Sequence, residues 1–435
     1  MFPFRQHYPS GKSEWEGWFS PLGRPTGQVL TYEGIETLTP DLFAGIIICI
    51  FGLRTNQHSL IMKKRFILLA ALAAMLLGVS CSSVHRVSSA SVVQPGFELE
   101  ECDIENPGTR MFLEEVDYSN DPDYTLSFAR DYRSKHGAND RPLPVKISWD
   151  GGTAVKILMS KSPLFEDAFE VPAEASPAEV FNLVPGEKYY YKVLAADGKV
   201  LKQACVVPVG PLRMINGVVG NMRDLGGWKA AGGHIAYGKL YRGAALERIS
   251  DKGREIFLKD LGISVDLDLR GIKESEFKVG AVMPETVYLK LPVEKNLGRG
   301  TGNTQELYQQ AIRSIIGWLG EGRAVFFHCA GGADRTGSLA FLIEALLGVS
   351  ESDLSKDYEL TTFGRANTRL RNYRATEEET HILYELVTYL RTFGSPGTSI
   401  NDLALNWATT RHSDSVDPLT PSEIQLLRQY LLVRE

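Results

Sequence analysis

Cysteine is scarce in this chain of 435 residues: Cys49, Cys81, Cys102, Cys205 and Cys329 are all it has, with no CxxC pair and no Cys/His spacing. That excludes the usual structural zinc frameworks. Basic residues are not in excess: the formal net charge is −6, and no basic cluster lies beyond the N-terminal region. A generic nucleic-acid binder is therefore excluded. The apolar runs Phe43 to Leu53 and Phe66 to Val79 both stop short of the ~20 residues that a membrane-spanning helix needs. What remains is an ordinary globular composition, 43% apolar and 23% charged, in a chain with room for two domains.

Met62 opens a stretch with a basic head (Lys63-Lys64-Arg65), a short apolar core and a boundary of small residues, Ser80-Cys81-Ser82-Ser83. This is the layout of a secretory signal peptide. The cysteine at its end resembles the lipobox of bacterial lipoproteins, although Leu77 lies one step further back than the usual leucine. The expectation is lipidation at Cys81 and attachment to a membrane through that lipid, facing the periplasm or the cell exterior; plain cleavage to a secreted product is the alternative. Because a signal peptide belongs at a start, residues 1–61 are expected to be an upstream extension, with 62–81 the signal and 82–94 a linker.

Over 95–208 the pattern is β-like. Val145, Ile147 and Trp149 alternate with polar residues, as do Val155, Ile157 and Met159. Asp197-Gly198 is a hairpin signal ahead of a strand through Cys205 to Val207. Leu183, Pro185, Gly186, Tyr189 and Val193 resemble the late-strand signature of fibronectin type III domains, in which the tyrosine anchors a corner of an all-β sandwich. No chemistry is legible there, so a spacer or docking module is expected. Phe97 to Asp140 is not resolved by pattern. Cys102 and Cys205 sit near the module's two ends, and a disulfide or two free thiols are equally compatible with the sequence.

From Leu212 the periodicity changes. Strands are predicted at Ser264–Leu269, Thr286–Leu291 and Ala324–His328. Helices are predicted at Ser250–Leu261, Thr304–Leu319, Thr336–Leu347, Glu377–Phe393 and Pro421–Leu432. The alternation implies an α/β domain over 212–435 with a largely parallel central sheet flanked by helices.

The stretch Val325-Phe326-Phe327-His328-Cys329-Ala330-Gly331-Gly332-Ala333-Asp334-Arg335-Thr336-Gly337 carries the chemistry. An apolar strand delivers Cys329 to a short loop, and a helix begins near Thr336 with its positive end aimed back at the thiol. That arrangement lowers a thiol pKa. Gly331 and Gly332 let the amides of Ala330, Gly331, Gly332, Ala333 and their successors turn inward, and the Arg335 fork suits two phosphate oxygens. Thr336 can donate to the thiolate, Gly337 continues the helix start, and His328 can orient the cysteine through the backbone. The chemistry that follows is attack on a phosphomonoester and a cysteinyl-phosphate intermediate, with no metal or other cofactor required.

This loop resembles that of the cysteine-dependent phosphatases with an HC-x5-R signature, and most closely the bacterial tyrosine/dual-specificity phosphatases with HCxxGKDRTG. Asn221-Met222-Arg223-Asp224-Leu225-Gly226-Gly227 matches that family's N-x-R-D-L-G-G. Leu240-Tyr241-Arg242-Gly243 is similar to its Y-R-S element, with Gly243 for the serine. Asp268-Leu269-Arg270 with Glu274, and later Asp357-Tyr358, match further elements. The resemblance implies the phosphatase α/β fold and phosphomonoesterase activity on a phosphorylated protein or a small phosphomonoester. The family's loop lysine is Ala333 here, which weakens a phosphoinositide preference.

For the general acid, the resemblance favours Asp334, inside the loop, with Glu294 the alternative. Arg223, Arg242, Asp224 and Asp268 are expected to pair across the site and shape its walls, the two aspartates bonding to Arg223, Arg242 or Arg270. Trp228 and Tyr241 are expected to pack. A catalytically weak phospho-ligand-binding protein is the competing reading; sulfur transfer through Cys329 is disfavoured by the Arg-Thr-Gly that follows.

Overall fold

The computed structural model describes residues 96–114, 129, 132–275, 282–299, 303–364 and 382–434. The extension 1–61, the signal stretch with Cys81, and the linker 82–94 lie outside the described residues.

The first half is built on two small sheets. Strands β1 (Leu99–Asp103), β3 (Ala154–Ser160), β4 (Phe169–Pro172), β6 (Tyr189–Ala195) and β7 (Val200–Val209) form one, in the order β1-β7-β6-β3-β4. Strands β2 (Val145–Ile147) and β5 (Ala178–Val180) pair antiparallel in the other. Alternate residues of both, among them Val145, Ile147, Ile157, Tyr191 and Val206, meet in one core. The alternation breaks at Val155, which is exposed: the register slips between Ala154 and Lys156, and the bulge turns this valine outward. The Tyr189 hydroxyl accepts from the Val184 N–H at 3.1 Å, tying the strand to the corner before it. Cys102 and Cys205 lie on neighbouring strands but are both free. Cys102 pairs with Pro208, three positions from Cys205, so the two thiols project from opposite faces.

The second half carries a five-stranded sheet: β8 (Arg223–Asp224), β11 (Leu240–Gly243), β12 (Ile263–Arg270), β13 (Val287–Val293) and β14 (Ala324–His328), in the order β13-β12-β14-β11-β8. All pairs are parallel except β11 with β8. A three-stranded ribbon, β9 (Lys229–Ala230), β10 (Gly233–Ile235) and β15 (Leu432–Arg434), lies apart from it. The central β14 is apolar on both faces because both are covered: Val325 and Phe327 enter one core, Phe326 the other.

Short helix α1 (Pro107–Glu114) precedes β2; α2 (Asp251–Glu255) starts at Ser250, whose side chain accepts from Gly253 N, and runs on as a π-turn to Asp260. Then follow α3 (Thr304–Gly320), α4 (Arg335–Leu347), α5 (Glu351–Glu359), α6 (Ile382–Arg391), α7 (Ile400–Thr409) and α8 (Pro421–Leu431). Helix α4 is buried on every side from Thr336 to Leu347 and ends at Gly348, whose φ of 85° closes it. Thr420 and Glu423 form the capping box of α8.

One expectation needs correction. Ile104 stays with the sandwich, but the other apolar residues described between β1 and β2 that are buried do not belong to its core. Phe112, Leu113, Ala129, Tyr132 and Ala138 enter the large core shared with α4, α5 and the parallel sheet. The Phe112 ring meets Phe363 edge-on at 5.0 Å, and Lys356 Nζ donates to the Leu113 carbonyl at 2.9 Å. At α1 a strand-period pattern is missing because these residues form a helix that packs against α5. The described residues all fall in one compact unit.

Candidate active site

Cys329 stands one residue past β14, only 3% exposed, with α4 starting six residues on. Between them five successive carbonyls are held from outside. The Cys329 carbonyl contacts His328 Nδ1 at 3.0 Å, and the Ala330 carbonyl accepts from Ala245 N at 3.2 Å. Asn221 Nδ2 donates to the carbonyls of Gly331 (3.1 Å) and Gly332 (3.0 Å). Arg242 Nη2 donates to Gly332 O at 3.0 Å and lies 3.4 Å from Ala333 O. Because each peptide is planar and trans, an outward carbonyl turns the next N–H the other way. The amides of Ala330, Gly331, Gly332, Ala333 and Asp334 therefore converge on the inside of the loop.

Gly332 is dictated by space as well as by conformation. Its φ is 66°, and a Cβ there would meet the Gly243 carbonyl at 2.3 Å. At Gly337 a Cβ would press on the Tyr358 ring at 2.7 Å, so the first turn of α4 can sit close to α5.

Burial resists ionisation of Cys329. The Arg335 guanidinium and the hydroxyl and amide of Thr336 outweigh it, and the thiol pKa falls below its ordinary value of 9.0. Thr336 Oγ1 is buried with no oxygen or nitrogen partner, so it is available to the sulfur. Arg335 is not loose. Its two terminal nitrogens grip the Glu274 carboxylate, Nη2 at 2.8 Å, and Nη1 also donates to the Val293 carbonyl at 3.1 Å. Glu274 in turn accepts from Gly271 N and is held below the usual carboxylate range by Arg335.

His328 lies 3.0 Å from Asp266 across the sheet, a close ion pair rather than a well-aligned hydrogen bond. Burial opposes its charge, yet Asp266 overcomes that and raises the imidazole pKa to about 9. At neutral pH both ring nitrogens then carry protons, one facing the Cys329 carbonyl.

The arginine–aspartate pairing differs from expectation. Asp224 bonds to Arg213 (3.2 Å), not to Arg223 or Arg242. Neighbours on a strand point to opposite faces. Asp224 and its partner Tyr241 thus share one face with Arg213, while Arg223 and Arg242 share the other. There both arginines converge on Asp357: Arg223 Nε at 2.8 Å and Arg242 Nη1 at 2.5 Å. Asp268 does pair with Arg270, accepting from its backbone N and its guanidinium, and also from the Tyr288 hydroxyl. Burial resists, but Arg270 brings the Asp268 pKa down to about 2.

Asp334 is partly exposed and its side chain does not cap α4. Glu294 is turned elsewhere: its Oε1 accepts from Ile272 N at 3.0 Å, bracing the turn that carries Glu274. Trp228 and Tyr241 are buried. Among the functional side chains that sequence reasoning passed over are Asn221, Asp266, Glu274 and Asp357. Three of them lie inside or beside matched motifs; Asp266, two residues before Asp268 on β12, had no signal of its own.

Residues 215–417 match the model of the tyrosine phosphatase family. A Cupriavidus necator protein whose name carries a provisional tyrosine-protein phosphatase assignment is 29% identical over 165 residues, 32% of this chain and 59% of its own length. The chain thus spans less than two thirds of that curated relative. Similar solved structures include PTPMT1 in complex with PI(5)P (12% identity, 44% of this chain and 90% of that one, TM-score 0.21). P. aeruginosa TpbA in complex with pTyr is another (15% identity, 38% and 96%, TM-score 0.24). In its C-terminal half the chain is thus similar to tyrosine phosphatases.

Proposed function

We propose that this chain hydrolyses phosphomonoesters, phosphotyrosine-like ones foremost, through a cysteinyl-phosphate. The observation that carries the reading is the loop itself: outward-held carbonyls leave inward amides around a buried thiol whose ionised form Arg335 and Thr336 favour. Such a bowl complements the three equatorial oxygens of a phosphoryl group in transit.

In the first step Cys329 Sγ forms a bond to phosphorus as the ester P–O bond breaks. Asp334 gives its proton to the departing oxygen. In the second step a water oxygen bonds to phosphorus, its proton passing to Asp334, and the S–P bond breaks to return the thiolate. Thr336 donates to that thiolate as it leaves. Arg335, aimed by Glu274 and Val293, holds two phosphoryl oxygens throughout. The Cys81 lipid anchor and a station outside the cytoplasm belong to the same proposal, supported by the signal-like stretch 62–81.

The test is turnover of p-nitrophenyl phosphate by the full chain, with Cys329→Ser as control. Turnover that disappears in the variant, with tungstate binding retained, is expected. Tungstate binding without turnover in the unmodified protein would leave a phospho-ligand-binding protein instead.

A further inference from the structure

We infer that Arg133, supplied by the segment between β1 and β2, is a positioning residue for the phosphate loop; this rests on the phosphate-binding reading above. Its Nη1 donates to the carbonyl of Thr362 at 2.6 Å and faces that of Gly364 at 3.2 Å. These two carbonyls flank the end of the 3-10 turn Leu360–Phe363 that follows α5. The same turn presents Thr361 Oγ1 to Asn221 Nδ2 at 3.2 Å.

That amide is the one holding the loop. An amide nitrogen has two hydrogens, and here it faces three acceptors: Thr361 Oγ1 and the carbonyls of Gly331 and Gly332. Where the turn stands therefore decides how the two donors are shared with the loop. Asn221 is itself held in the left-handed region, φ 57°, a conformation a non-glycine residue keeps only when its surroundings impose it. Asp140, seven residues after Arg133, adds to those surroundings. Its Oδ2 lies 3.3 Å from the point where a Cβ on Gly364 would stand, and the Asn221 Cβ is 4.0 Å from the same point.

The brace is separable from the anchor. Phe112, Leu113 and Tyr132 fix the segment in the shared core without Arg133, so Arg133→Ala is expected to fold. A misplacement far from the reacting atoms can cost on the order of tenfold to a hundredfold in rate, and the lower end is expected here.

The readout is the affinity of the full chain for tungstate, measured by calorimetry, beside kcat/KM for p-nitrophenyl phosphate and the melting temperature. Arg133→Ala is expected to weaken tungstate binding about tenfold. Arg133→Gln, which keeps an amide donor and serves if the alanine variant does not fold, should fall between. A role confined to stability would lower the melting temperature and leave tungstate affinity of the folded protein unchanged. Asn221→Gly, which accepts the left-handed backbone, completes a double-mutant cycle. The Arg133→Ala effect should largely vanish on that background. Unchanged affinity in both Arg133 variants, or an effect that persists in full without the Asn221 side chain, overturns the inference. Failure of the parent chain to bind tungstate at all instead strikes the phosphate-binding reading itself.

Discussion

Asp357 holds Arg242 at 2.5 Å with both side chains buried, and Arg242 in turn donates to the loop carbonyl of Gly332. Arg223 shares the same carboxylate. Burial works against charge on Asp357, but the two arginines keep its pKa below the ordinary value. Glu344, fully buried nearby with neither oxygen bonded, is pushed well above the carboxylate range by burial and by Asp357. Asp357 is thus the carboxylate that both guanidiniums contact.

Asp357→Asn is accordingly expected to destabilise the chain by about 3–5 kcal/mol, the usual loss when one partner of a buried pair is removed. Urea unfolding checks it. A midpoint unchanged from the parent would mean that the arginines find another counter-charge. Glu344→Gln should cost far less in the same assay, since neither Glu344 oxygen is bonded to the arginines.

Glu274→Gln removes the carboxylate that aims Arg335 but leaves the Val293 carbonyl contact. Phosphate binding should suffer more than the chemical step. KM for p-nitrophenyl phosphate is expected to rise about tenfold, with kcat within about threefold of the parent. An equal fall in kcat would place Glu274 in the chemistry rather than beside it.

Much of the fold and of the site was legible because its signals are local. β14 runs from Ala324 to His328 as its apolar run predicts, and α4 begins one residue before Thr336. The thiol, the glycines and the guanidinium are consecutive in the chain, so their convergence needs only a turn. What was not legible depends on long-range packing. Asp224 and Arg223 are neighbours in sequence, yet the strand sends one to Arg213 and the other to Asp357, 134 positions away. The helix α1 segment is interposed between two strands of the sandwich but packs on α5, a choice that no periodicity in residues 97–140 records.

The His328–Asp266 pair predicts a pH dependence of stability. The imidazole pKa is raised from 6.5 to about 9 in the folded protein. A raised pKa contributes stability that is full below 6.5 and is lost as pH climbs through 9. With both groups nearly inaccessible, a shift of that size corresponds to about 3 kcal/mol, to within a factor of two. The melting temperature of the parent should therefore drop between pH 6.5 and 9, and Asp266→Asn should flatten that drop. Parallel curves for the two proteins would exclude the pair as its source.

The two candidate acids separate by leaving group. Asp334 sits inside the loop, partly open to solvent, while Glu294 is occupied at the Ile272 N–H. p-Nitrophenolate leaves readily without a proton; phenolate does not. A lost general acid costs roughly 10²–10⁴-fold where protonation matters. Asp334→Asn is therefore expected to cut kcat/KM, which reports only the steps up to P–O cleavage, by about a hundredfold or more on phenyl phosphate and far less on p-nitrophenyl phosphate. Glu294→Gln should leave the ratio between the two substrates where it was, with any loss read in stability through the turn at Ile272. If instead the Glu294 variant alone becomes sensitive to the leaving group, the acid is Glu294, released from Ile272 when substrate binds, and Asp334 serves only to shape the loop.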